Sequence, residues 1–536
     1  MYDYIVIGAG SAGCVLAARL SEDPSVRVLL LEAGPKPTNP WIRIPAGMSR
    51  LFLPNRYNWG YFTEPEAELD GRRIYWPRGK TLGGSSAING LAYVRGHPMD
   101  YDGWRQLGLD GWSWDEVLPY FRKSEHRETG ATSHHGTGGN LWVSDPPVRH
   151  PAARDFIEAG IACGIARNGD LNGPDQAGIG FLQFTMQKGR RHSTGDAFLG
   201  PARGRPNLDI QTDAHTRRIL IENGRAVGVS YVQGGTVREA RSAREVILSA
   251  GALNSPQILM LSGLGPAAHL SELGIPVVAD LPGVGGNLQD HLYVHYVARV
   301  TPESSVNDKL RGARAYLQGA QYLLTRGGLL TLAASQACAF VEGLPGAGHP
   351  DLQINFRPLS FDFLPSGQLA IGKTPCVTAS VCYLRPQSRG RITLQSADPA
   401  AAPLIHANYL EAEADRQAMV AGLRWIRRIF TSEPLRSRVV AEELPGPDCL
   451  SDDALLGFVR SMAQSMYHPV GTARMGRDAG AVVDERLRVR GVDGLRVIDA
   501  SVMPLIPSGN TNAPTIMVAE KGADLVKADA RAAMAA

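Results

Sequence analysis

Apolar runs open the chain. Tyr4-Ile5-Val6-Ile7 reads as a buried strand, Gly8 to Gly13 as a glycine turn, residues 14–20 as a helix and 26–31 as a second strand. Strand, turn, helix and strand in that order make a βαβ unit. Between 40 and 110 Trp, Tyr, Pro and Gly are frequent and the helical period is weak, so mostly loop or extended chain is expected. Leu208-Asp209-Ile210 and Arg218-Ile219-Leu220-Ile221 precede the turn Glu222-Asn223-Gly224-Arg225, and Ala226-Val227-Gly228-Val229 follows it; this is a hairpin signal. Residues 251–264 have helical spacing and stop at Gly265-Pro266. From about 300 to 465 the pattern changes. Alternating stretches at 352–356, 377–383 and 391–394 predict an antiparallel sheet, and helical segments at 412–430 and 452–466 predict cover for one of its faces.

A chain of 536 residues is too long for one compact core and suggests two or three domains. A net charge of +3 is small for this size, so no nucleic acid or other polyanion is expected as a partner. The chain has no apolar run of the ~18 residues a membrane helix needs. The first strand begins too early for a cleaved signal peptide to be expected. Cys14, Cys163, Cys338, Cys376, Cys382 and Cys449 are scattered without a CxxC pair, which reads as reduced, cytoplasmic usage with no structural zinc. Cys376 and Cys382 are expected to be small buried side chains. His134-His135 is expected to be a solvated loop, and no metal site is expected. The GxSxG elbow of serine hydrolases is absent.

Two constellations carry chemistry. In Gly8-Ala9-Gly10-Ser11-Ala12-Gly13, Gly8 makes a tight turn and Gly10 lets the backbone approach a pyrophosphate. Gly13 lets the helix pack closely on the strand. Glu32 follows at about the 20-residue spacing of a carboxylate that binds a ribose diol. The motif leaves FAD and NAD equally open. The second stretch is Arg78-Gly79-Lys80-Thr81-Leu82-Gly83-Gly84-Ser85-Ser86-Ala87-Ile88-Asn89-Gly90. So many glycines and hydroxyls imply backbone lying close to something flat or anionic. The order of Gly and Lys is not that of a GxxxxGK[ST] phosphate loop.

Continued through Tyr93, Gly96 and Asp102, this stretch resembles the first signature of the glucose–methanol–choline (GMC) oxidoreductase family. Residues 251–265, Gly-Ala-Leu-Asn-Ser-Pro-Gln-Ile-Leu-Met-Leu-Ser-Gly-Leu-Gly, resemble its second. Blocks 286–291, 467–472, 499–504 and 509–515 are also similar to the family, bacterial choline-dehydrogenase-like and aliphatic alcohol dehydrogenases above all. The resemblance implies FAD. The residues matching its contacts are Gly8, Gly10, Ser11, Ala12, Gly13, Glu32 and Ala33. Arg78, Gly79, Leu82, Gly83, Ser85, Asn89, Gly90, Leu91 and Ala92 match along the isoalloxazine. Asp499, Ala500, Asn512 and Thr515 complete the set, with Trp59 near the ring and Thr216 at the adenine. Some members attach FAD through a histidine; Ile88 stands at that position, so non-covalent FAD is expected.

The resemblance also implies a catalytic pair, His468 and Asn512. An imidazole with an ordinary pKa near ~6.5 can take a hydroxyl proton while a hydride leaves the same carbon. Asn512 would hold the alcohol oxygen. His291, beside Asp290, is expected to be structural, since sequence neighbours rarely face each other. The implied fold is α/β: a Rossmann-type FAD-binding domain from 1–155, 205–300 and 466–536, and a substrate domain from 156–204 and 301–465 with an antiparallel β-sheet covered by helices. The expected reaction is FAD-dependent oxidation of a primary, uncharged aliphatic or aromatic alcohol to the aldehyde, because no cage for a quaternary ammonium is recognisable. Choline dehydrogenation, oxidation by O₂, cyanohydrin cleavage of the GMC lyase type and FAD binding without catalysis are the alternatives. A dehydrogenase would pass electrons to a quinone or another acceptor, which implies a cytoplasmic protein with peripheral contact at the inner membrane.

Overall fold

The computed structural model describes residues 1–363 and 369–535. Its first sheet grows from Tyr2–Ile7, which pairs in parallel with Val28–Leu31 on one side and Thr236–Leu248 on the other. Leu208–Gln211 extends the parallel part beyond Val28–Leu31, and Leu495–Val497 runs parallel to Thr236–Leu248. All four residues of Val28–Leu31 are buried, as expected of a parallel strand covered on both faces. The strands Ala214–Glu222 and Arg225–Gln233 form the expected hairpin and join antiparallel to Thr236–Leu248. At its tip Asn223 and Gly224 take φ of +51° and +75°, the geometry that favours Asn-Gly in two-residue hairpins. The helix Ser11–Leu20 packs on this sheet and against the C-terminal helix Asn512–Ala535.

The second sheet is antiparallel. Its order is Val439–Leu444, Leu292–Val300, Cys376–Tyr383, Leu352–Arg357, Ala337–Val341, Gly178–Phe181. Side chains alternate across its faces. Tyr296 and Phe356 point to the side covered by the helices Glu413–Phe430 and Pro151–Ala162, where Phe156 stacks on Phe356 at 4.7 Å and Phe430 lies 4.7 Å from Tyr296. The opposite face bears Tyr293, His295, Asn355, Arg357 and Ser380, all of which line a cleft against the first sheet.

Several expected boundaries move. Leu292–Val300 was assigned to the first domain, but it is the partner of Cys376–Tyr383, so the chain changes sheets before 292 rather than at 300. The helix Pro151–Ala162 likewise starts the second layer before 156. Residues 195–202, placed with the substrate domain, form a helical turn against Ser11–Leu20. The expected loop of 40–110 contains the helix Pro98–Gln106, opened by His97 and Pro98 and capped through Asp100. Cys376 and Cys382 are buried free thiols. No described helix is long and apolar enough to cross a membrane.

His135 is not solvated. It lies between Glu125, 3.0 Å away, and Asp170, 2.7 Å away, in a buried network with Arg95. The guanidinium of Arg95 meets Glu125 at 2.6 Å with both side chains fully buried, and it also donates to the His134 carbonyl. The network holds the chain just beyond the glycine-rich stretch. Removing one partner of such a pair leaves a buried charge uncompensated, at a cost of about 3–5 kcal/mol. Glu125→Ala should therefore lower stability by about that amount in urea unfolding; a loss within error would show that the pair is not needed.

Candidate active site

The glycine turn forms the floor of the cleft. Gly8 has φ of +95°, and a Cβ there would meet the Ser249 carbonyl at 2.6 Å. At Gly13 a Cβ would lie 1.8 Å from the Gly8 carbonyl, so this glycine serves helix–turn packing. Gly10 differs: nothing lies within 4 Å of the place a Cβ would take, and the residue lines the cleft. Backbone left bare beside an open groove at a helix N-terminus suits a pyrophosphate. At the end of the second strand Glu32 accepts from the N–H of Ala9 at 3.0 Å and of Gly34 at 2.8 Å. Burial pushes its pKa up to about 7 against those two bonds. Its carboxylate lines the same groove, as do Ser11, Ala12 and Ala33. These residues fit a dinucleotide.

From the second stretch, Arg78, Gly79, Ser85, Asn89, Gly90, Leu91 and Ala92 line the cleft, and so does Gly84, which was not singled out. Leu82 and Gly83 do not line it, and neither does Gly13. Leu82 is buried in the core, and Gly83 is turned inward, donating its N–H to the Ala9 carbonyl at 2.8 Å. Arg78 is pinned by donation to the Tyr467 carbonyl at 2.6 Å. Asn89 accepts from Arg191 at 2.7 Å. Ile88 lines the cleft with an aliphatic side chain that has no nucleophile. Thr216, Asp499, Ala500 and Thr515 also line it. Asp499 ties the helix Gly251–Leu261 to the C-terminal region by accepting from Gly251 N at 2.8 Å and from Ser255 Oγ at 2.5 Å. Trp59, expected near the flavin ring, has its indole 5.7 Å from His215, one residue before Thr216, with the Lys80 ammonium 4.1 Å above it.

The end of the cleft bearing His468 is built by a chain of imidazoles. His291 Nε2 lies 3.1 Å from the Leu384 carbonyl, which can only accept, so Nε2 carries the proton and Nδ1 is an acceptor. His468 Nδ1 sits 3.1 Å from that Nδ1 and must therefore donate to it. This leaves His468 Nε2 unprotonated, and its lone pair accepts from Asn510 Nδ2 at 2.9 Å. Burial lowers both ring pKa values, that of His291 to about 4 and that of His468 well below the usual range, where His291 and the Arg78 cation add to the effect. Both rings are neutral at pH 7. The backbone is fixed as well. Asp290 accepts the His468 N–H at 2.7 Å and the hydroxyls of Ser465 and Tyr409. Tyr467 is held at φ of +65°, a conformation costing a non-glycine residue about 1–2 kcal/mol.

His468 and Asn512 do not meet as a pair. The Asn512 carboxamide, first in its helix, accepts from Ser11 Oγ at 2.7 Å and so bridges to the glycine turn. Asn510, two residues earlier, is the amide at the imidazole. Both asparagines lie in the block 509–515, and the resemblance alone points to Asn512. His291 was expected to be structural; its ring is in direct contact with that of His468. As expected, Asp290 and His291 do not face each other. They grip His468 from two directions, one by its backbone and one by its ring.

Family models described as GMC oxidoreductase match residues 2–293 and 386–519. The chain is 46% identical over 530 residues to an alcohol dehydrogenase [acceptor] of Pseudomonas putida, covering 98% of this chain and 96% of that one. It is 44% identical over 524 residues to an oxygen-dependent choline dehydrogenase of Sinorhizobium fredii, covering 97% and 95%. A structure of Aspergillus oryzae formate oxidase, studied for the modification of its FAD, superposes with a TM-score of 0.92 at 30% identity, covering 98% of each chain. The glycine turn, the second glycine-rich stretch and the buried histidine thus stand in a chain that belongs to the GMC oxidoreductase family.

Proposed function

We propose that this chain oxidises a primary alcohol to the aldehyde with non-covalent FAD, using His468 as the base. The observation that carries this reading is the neutral His468 Nε2, held ready by His291 and facing Asn510 in a cleft continuous with the dinucleotide groove. FAD, when bound, supplies the acceptor for the hydride. The chain's own residues handle the oxygen and its proton. An alcohol oxygen reaching His468 Nε2 replaces the 2.9 Å bond from Asn510: the amide then donates to the alcohol oxygen, and the alcohol gives its proton to the ring. The Asn510 carboxamide oxygen is buried without a partner, so the amide is not committed elsewhere. Glu32 and the bare backbone at Gly10 bind the dinucleotide, Ser11 and Asn512 lock the turn to the last helix, and Ile88 leaves the attachment non-covalent.

We assign the electrons to an acceptor such as a quinone, in keeping with the name of the Pseudomonas relative, alcohol dehydrogenase [acceptor]; the name of the Sinorhizobium relative specifies oxygen instead. A surface helix, Gly312–Thr325, exposes Tyr316, Leu317, Leu323 and Leu324, carries Arg314 and is flanked by Arg311 and Arg326, a combination suited to peripheral contact with an anionic membrane. The protein should sediment with vesicles containing anionic lipid, and Leu323→Ser/Leu324→Ser should reduce the bound fraction while leaving flavin reduction intact. Equal binding by the variant would rule this surface out.

Anaerobic mixing with an alcohol should bleach the flavin, which a cyanohydrin lyase would not do. His468→Ala should slow bleaching by about 10²–10⁴-fold, the usual worth of a positioned base. Asn510→Ala should also slow the reductive step. Asn512→Ala should act instead on flavin retention, and the reverse assignment would restore the pair expected from sequence.

Protonation of His468 removes the base, and its depressed pKa moves that loss to lower pH. The rate of flavin reduction should therefore stay level from pH 8 to about 6.5, the ordinary imidazole value, and fall only below it. An inflection at or above 6.5 would contradict a buried, neutral His468.

A further inference from the structure

The cleft-facing side of the second sheet holds a charge that the alcohol chemistry does not use. Register sets its pattern: His295 is opposite Ser380, and Ser380 is opposite Asn355 on the next strand. On the same face, two residues to either side of that row, stand Tyr293, level with Cys382, and Arg357, level with Thr378. Arg357 donates from Nη2 to His295 Nε2 at 3.1 Å, and its guanidinium lies 5.3 Å from the centre of the Phe361 ring. Since Arg357 can only donate, the His295 proton is on Nδ1. That Nδ1 and Arg357 Nε are both buried without an acceptor.

No carboxylate among the described residues balances this cation. The groups that reach Arg357 electrostatically are the hydroxyls of Tyr293 and Tyr467. Among the described residues only two acids line the cleft, Glu32 and Asp499, and both are already taken up by backbone and serine donors near the glycine turn and the helix Gly251–Leu261. His295 cannot help by ionising, because burial and the neighbouring Arg357 both keep it neutral. A guanidinium whose Nε is shut in without an acceptor, and which has no anion beside it, is costly to keep. For packing alone, an apolar side chain would serve better. Its planar fork of donors matches one kind of ligand above others, a carboxylate.

We propose that the alcohol oxidised at His468 carries a carboxylate at its far end, bound by Arg357 in a pocket completed by Tyr293, His295, Asn355 and Ser380. The substrate class is then a hydroxy acid. This deepens the alcohol-oxidation reading and rests on it. An uncharged alcohol, the expectation from sequence, leaves the guanidinium unpaired, and a quaternary ammonium such as choline meets a like charge.

The test uses the FAD-loaded protein and compares 1-alkanols, ω-hydroxycarboxylates of equal length and choline. The best hydroxy acid should exceed its matched alkanol by ~10–100-fold in kcat/KM, the range expected of a hydrogen bond to a charged group. Arg357→Met should abolish that advantage, so that acid and alkanol converge in kcat/KM because the acid loses far more than the alkanol. Arg357→Glu should turn the preference toward choline. Should Arg357→Met fail to retain flavin, Arg357→Lys keeps the charge without the fork and should give an intermediate preference. A separate readout needs no turnover: an unreactive alkanoate of matched length should perturb the flavin absorbance on titration, and Arg357→Met should weaken its Kd by the same factor. Equal kcat/KM for acid and alkanol, or an equal loss on both in Arg357→Met, would overturn the proposal. Alkanoate binding that depends on Arg357, with no alcohol bleaching the flavin, would sink the alcohol-oxidation reading and leave the carboxylate pocket standing.

Discussion

Everything in the active site depends on one carbonyl. Leu384 O can only accept, so it fixes the proton on His291 Nε2, and through His291 it fixes the proton on His468 Nδ1. The basic nitrogen that faces the cleft is therefore determined by a backbone atom two side chains away. Many buried histidines are oriented by a carboxylate, which would raise the pKa and favour the charged ring. A second neutral imidazole does the opposite: it orients without charging. His468 is thus kept as a free base at neutral pH, and under the proposed reaction a proton taken from substrate would reside on it only while an adjacent negative charge offsets the buried cation.

That arrangement constrains the architecture. Leu384 directly follows the strand Cys376–Tyr383, His291 directly precedes Leu292–Val300, and His468 lies in the return to the first layer. The two strands are antiparallel neighbours, which brings Leu384 and His291 together at one edge of the second sheet. The segment carrying His468 is held alongside by the Gln289–Val470 bridge and by Asp290. The chain crosses between its layers where the base must sit, and the strained Tyr467 is tolerated there because Ser465, Asp290 and Arg78 hold the backbone around it.

Local signals made the first layer readable. Gly8, Gly10 and Gly13 each meet a requirement of turn, approach or packing set by nearby chain, and the Asn223-Gly224 hairpin needs only its own two residues. What failed to show in the sequence was non-local. The choice of Asn510 over Asn512 depends on where the last helix begins: as its first residue, Asn512 is drawn to Ser11, which leaves Asn510 in the preceding loop to reach His468. The Leu292–Val300 strand was misassigned because pairing with residues 376–383 cannot be read from either segment alone. The burial of this loop residue, His135, is invisible locally because Glu125 and Asp170, which surround it, lie 10 and 35 residues away.

Register also explains why the polar wall of the second sheet escaped notice. Tyr293, His295, Asn355, Arg357 and Ser380 share one face only once three strands are aligned. Alone, Arg357 is an ordinary residue at a strand end. Aligned, it and Arg78 are the two cations lining the cleft, against two acids whose oxygens are spent on the scaffold. Burial above all, with His291 and the positive potential of Arg78 adding to it, depresses the His468 pKa, and that potential favours a negative oxygen beside the ring. The cleft thus holds its base neutral and is biased toward anions, features that suit loss of a proton from an alcohol and disfavour a cationic substrate.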